Sequence, residues 1–162
     1  METKTALLAG SLSLVSFLAG KAVANNTLVF DSMNFSIESL EAEADEAPYQ
    51  ALSMFLPPSE GFAPNVNVLS QPFTGSMDEY IEISKKEFEE LGLEVLKLER
   101  EDKDTVVMMY AGVMGGLDLH CYVKGIATGD EVLLATGCSL DDQWSDVSDD
   151  LEACVDSFKL AK

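Results

Sequence analysis

Residues 105–138 read TVVMMYAGVMGGLDLHCYVKGIATGDEVLLATGC, and their interpretation decides the fold. Three runs rich in β-branched and aromatic residues are separated by Gly115-Gly116 and Gly129-Asp130. Each pair is a two-residue hairpin signal, because glycine readily adopts the positive φ that primed turns require. The stretch therefore predicts three consecutive antiparallel strands. With two-residue loops the register is fixed: Tyr110 faces Cys121, and Cys121 in turn lies opposite Cys138. Counting outward from Thr128 and Glu131 puts the cysteine pair at a non-hydrogen-bonded site, where strands approach most closely and a cross-strand disulfide is geometrically feasible. Such a bridge contributes roughly 3 kcal/mol through the unfolded state.

The same register places Val106, Met108, Tyr110, Cys121, Val123, Val132, Leu134 and Cys138 on one apolar face, which is expected to meet the helices. His120, Tyr122 and Lys124 fall on the opposite, wetter face. Cys154, further along the chain, is a competitor for either sheet cysteine, and three buried reduced thiols are the alternative to a bridge.

Outward from this core, residues 93–98 alternate with period two and predict a strand, followed by a charged turn over 99–104. Ser76-Met77-Asp78-Glu79 matches a capping box, in which the serine oxygen and the glutamate three residues on satisfy each other's backbone donors. A helix is predicted from there to about Leu91, with the stripe Met77, Ile81, Ser84, Phe88 and Leu91 facing inward and Gly92 as its stop. Upstream, residues 49–56 and 65–71 read as strands separated by Pro57-Pro58 and a turn. Residues 27–37 read as one irregular strand or a pair of short ones, and 38–48 as an acidic loop. Downstream, a final helix capped by Ser139 is predicted, with Asp141 and Asp142 near its positive end and the stripe Trp144, Val147, Leu151, Cys154, Val155 and Phe158 turned inward. The product is an α+β fold, an antiparallel sheet layered with helices.

With 162 residues, 47% of them hydrophobic, the chain has material for one ordinary core. One domain over 25–162 is predicted. Ten basic against 29 acidic side chains give a formal charge of -19, which repels nucleic acid phosphates and anionic lipid headgroups. Nucleic acid is not an expected partner. The N-terminus resembles a signal peptide over 1–24: Lys4 precedes an apolar run from Thr5 to Gly20, and Ala22-Val23-Ala24 offers small residues for cleavage. The run is short for a membrane span. Lys21 stands where a lipoprotein would carry its lipidated cysteine, so no stable membrane anchor is expected after cleavage. Removal of Glu2, Lys4 and Lys21 leaves 28 acidic and 8 basic side chains, so the exported chain keeps a charge of -20. A periplasmic or secreted location follows, and with it an environment in which disulfides persist.

Catalytic chemistry is sparse. His120 is the sole histidine. Its sequence neighbour Cys121 points to the other sheet face, so the two make no nucleophilic pair. Zinc is disfavoured without a CxxC or a second histidine. The acidic run Asp141, Asp142, Asp146, Asp149, Asp150 and Glu152 lacks the glycine-punctuated loop of a calcium site and reads as a solvated helix face. No cofactor or metal is expected. Gly112, Gly115 and Gly116 are turn chemistry, not a phosphate loop, since no helix or lysine follows them. Asn25-Asn26-Thr27 and Asn34-Phe35-Ser36 match the glycosylation sequon. Trp144, the single tryptophan, is expected in the core or lining a groove between helix and sheet.

Several segments together resemble the PsbP-like superfamily: Pro64-Asn65-Val66-Asn67-Val68, Ser76-Met77-Asp78-Glu79-Tyr80, Leu119-His120-Cys121-Tyr122, and Gln143-Trp144 leading to Cys154-Val155-Asp156-Ser157-Phe158. The superfamily includes PsbP, the Mog protein and periplasmic proteins of the DcrB type. The resemblance spans roughly residues 27–160 and implies a central antiparallel sheet between helices, in proteins that bind partners or assist assembly and are mostly not enzymes. The missing lipidation cysteine and the acidic surface depart from the pattern, and no photosystem role is carried over. The expectation is an exported binding or scaffold protein that engages a protein partner or a small apolar ligand, with His120, Tyr122 and Trp144 as candidate contacts. The competing expectation is a small hydrolase-like enzyme using His120 with nearby carboxylates.

Overall fold

The two glycine loops form as their sequence predicts, with Gly115 and Gly116 at φ of 62° and 85° and Gly129 at 111°. The computed structural model describes residues 27–30, 34–38 and 48–161. The predicted signal segment, Asn25 and most of the acidic loop lie outside them. A hairpin of β1 (Thr27–Phe30) and β2 (Phe35–Glu38) stands apart as a two-stranded sheet. The main sheet has six antiparallel strands: β3 (Tyr49–Phe55), β4 (Asn65–Pro72), β5 (Glu94–Arg100), β6 (Thr105–Met114), β7 (Leu117–Ala127) and β8 (Glu131–Leu140), in the order β3-β4-β8-β7-β6-β5. Helix α1 (Met77–Leu91) joins β4 to β5, and α2 (Trp144–Asp156) closes the chain after a 3-10 turn over Asp141–Gln143.

Tyr110 pairs with Cys121 and Cys121 with Cys138, the register the two-residue loops dictate. The cysteines form a disulfide, their Cα atoms 4.3 Å apart. Cys154 is free. It packs with the cluster on the other side of the sheet, so it is no competitor for either partner.

The capping box of α1 is complete. The Ser76 oxygen accepts from the Glu79 backbone N–H at 3.3 Å, and the Glu79 carboxylate accepts from the Ser76 N–H at 2.8 Å. Those contacts, the backbone one foremost, hold the Glu79 carboxyl below its usual range. Gly92 ends the helix in the left-handed conformation, its N–H reaching back to the Phe88 and Glu89 carbonyls. Met77, Ile81, Ser84 and Phe88 are buried as the stripe predicts, and Tyr80, absent from that stripe, is fully buried and donates to the Gln71 amide oxygen at 2.5 Å. Leu91 departs from the expectation: at the last turn of the helix it is 49% exposed.

Two further expectations are corrected. Ser139 does not cap α2. It stays in β8, buried and opposite His120, and its hydroxyl donates to the Leu140 carbonyl. The β7–β8 ladder runs on to the Leu119–Leu140 pair, and continued pairing satisfies more backbone groups than a cap would. The helices also do not share the apolar face. Helix α1 covers it, packing Tyr80, Ile81 and Phe88 over Val106, Met108, Cys121, Val123 and Leu134, whereas α2 lies on the reverse face, with Leu151 and Val155 over Val66, Val107, Tyr122 and Ala135. The sheet is thus sandwiched between helices. Among the described residues no helix is long and apolar enough to cross a membrane.

Candidate functional site

Strand alternation sets His120, Tyr122 and Lys124 in a row on the face beneath α2, and each meets a different polar group. The His120 ring stacks on Trp144 at the first turn of α2, centroids 4.1 Å apart and planes 8° from parallel. Its Nδ1 lies 3.1 Å from a carboxylate oxygen of Asp141, while Nε2 is buried with no partner among the described residues. Next to Trp144 in sequence, Gln143 donates from Nε2 to the Ser59 carbonyl at 2.7 Å, and its buried Oε1 has no partner among the described residues. The 3-10 turn is therefore tethered to the 59–62 turn.

Tyr122 is 4% exposed, so the face read as wet is covered at this point. Its hydroxyl donates to Asp156 at the far end of α2 at 2.9 Å, and Lys97 lies 5.8 Å above its ring. Burial, and secondarily the hydrogen bond to Asp156, hold the phenol well above its ordinary pKa. Lys124 pairs with Glu101 at 2.8 Å. The structure thus brings His120 and Trp144 into contact and places Tyr122 two residues along the same row; together they seat both ends of α2. Cys121 faces the opposite cluster, away from His120. Among the described residues no three His, Cys, Asp or Glu side chains converge in a way that could hold a metal.

The open apolar surface lies at the other edge of α2. The helix covers β7, β8 and part of β4, but the sheet continues to β3. What remains is a trough of about 330 Å³ floored by Leu52 and Met54 of β3 and Val66 and Val68 of β4, and walled by Cys154 and Phe158. Lys159 is the one charged residue of its lining, in a chain of charge -19. Sequence reasoning places its floor residues in strands but does not single them out. The signal is there in the period-two spacing of 52 with 54 and 66 with 68, once β3 is known to be the strand that α2 leaves uncovered.

No family model and no curated protein matches the chain. Among solved structures it is similar to the protein of unknown function PA94 from Pseudomonas aeruginosa, at 14% identity over 85% of this chain and 97% of that one, with a TM-score of 0.62. It is also matched by PsbP (CyanoP) from Synechocystis sp. PCC 6803, at 10% identity over 77% of this chain and 99% of that one, with a TM-score of 0.44. At these identities what is shared with PA94 is the fold.

Proposed function

We propose that this chain is an exported, non-catalytic binding protein of the PsbP-like superfamily, acting in the periplasm or outside the cell, whose trough beside α2 receives an apolar ligand or an apolar segment of a protein partner. The observation that carries this reading is the trough itself: an open apolar concavity within the size range of ligand sites, with a single lysine at its rim. Lys159 favours an occupant with a negative group at that end. The disulfide supports export, since such bridges persist in oxidising compartments.

A second reading is favoured by one contact. Asp141 holds the Nδ1 side of His120 and Nε2 has no partner among the described residues, the pairing a histidine acid or base uses once its buried Nε2 is opened to a substrate. One experiment separates the two. Wild type, Met54→Asp and His120→Ala are compared for binding of the apolar dye 1-N-phenylnaphthylamine and for hydrolysis of p-nitrophenyl esters. A charge on the trough floor should weaken dye binding by about tenfold or more, because a carboxylate is costly to bury unpaired, with His120→Ala unaffected and no hydrolysis in any variant. Dye affinity unchanged in Met54→Asp would remove the trough from consideration. Turnover lost only in folded His120→Ala would establish the enzymatic reading instead.

A further inference from the structure

The β1–β2 hairpin presents apolar side chains that nothing in the described chain explains. Leu28 lies opposite Ile37 across the two strands, and they are 42% and 57% exposed. The hairpin pairs with no strand of the main sheet. A two-stranded hairpin on its own is marginal in water, so an apolar hairpin face needs a surface to cover it. The same chain carries an uncovered apolar surface, the trough over Leu52, Met54, Val66 and Val68.

We infer that the hairpin of one copy docks into the trough of a second copy, and reciprocally, making a two-fold dimer by element exchange. The inference rests on the trough reading above. Three observations point to this occupant. In a single chain Leu28 and Ile37 stay exposed while the trough stays open, so both apolar surfaces are free and not engaged with each other. Charge matches as well: the hairpin ends on Glu38, and the trough rim carries Lys159. Finally, exchange of an identical element satisfies both copies at once and closes on itself, whereas the remaining strongly acidic surface repels a second copy elsewhere.

Cys154 lines the trough and is free, which supplies the test. Leu28→Cys and Ile37→Cys are made in the full chain, oxidised, and analysed on non-reducing gels, with Cys154→Ser as the control background. Exchange yields a covalent dimer in at least one variant that disappears with Cys154→Ser. An intramolecular bridge, read as a monomer band two daltons lighter by mass spectrometry, would mean the hairpin covers its own trough and would overturn the dimer. So would failure of both variants to bridge. Light scattering of Ile37→Asp gives an independent reading: the apparent dimer dissociation constant should rise at least about tenfold, and an unchanged dimer would place the contact elsewhere. Dye binding tells the two proposals apart. Hairpin and dye compete for one trough, so monomeric Ile37→Asp should bind dye more tightly than wild type; if it binds none, the trough is no ligand site, while the bridging and light-scattering results still decide the exchange.

Discussion

The stack of His120 on Trp144 makes the single tryptophan a reporter for its neighbour. The rings lie 4.1 Å apart and nearly parallel, so the imidazole shields one face of the indole from water. Removing it in His120→Ala should open that face and shift Trp144 emission to longer wavelength; an unchanged emission maximum would show that the stack does not shield the indole. The row to which His120 belongs also shows where residue-level reading stops. The alternation that groups His120, Tyr122 and Lys124 is local and legible. That the face is covered is not, because each polar tip reaches a partner contributed from far along the chain: Asp141, Asp156 and Glu101.

At the scale of elements, α2 seats against β8 where the strand lacks a side chain. A Cβ added at Gly137 would stand 3.2 Å from the Leu151 Cβ and 3.4 Å from a Val155 methyl. Gly137→Val should lift the helix from the sheet at a cost of about 1–3 kcal/mol, read as a lower urea midpoint; a midpoint equal to wild type would show that the helix has room to move. Elements whose signals are local were readable in advance. Both glycine hairpins and the α1 capping box need only neighbouring residues, and they form where the sequence puts them. The start of α2 departs from its local signal for the complementary reason: Ser139 is a good local cap overruled by a ladder with His120 on another strand. The trough was beyond local reading too. It exists because β4 inserts beside β8 and leaves β3 outermost, a strand order that no segment encodes by itself.

Across the whole molecule, the Cys121–Cys138 bridge ties together two central strands of the sheet, over a sequence separation of 17. Its loss should cost about 3 kcal/mol through the entropy of the unfolded chain. Urea denaturation of the Cys121→Ala, Cys138→Ala double variant against wild type reads this directly, and coincident curves would remove the bridge from the stability of the fold. The sheet itself has a further effect on the thiols. Cys121 and Cys138 belong to the cluster under α1, and Cys154 to the cluster under α2, so a finished sheet is a partition between two sulfur chambers. Any bridge from Cys154 to either strand cysteine has to form before that partition is built. A mispaired isomer is then a record of premature oxidation, locked in by the wall it would have to cross to correct itself.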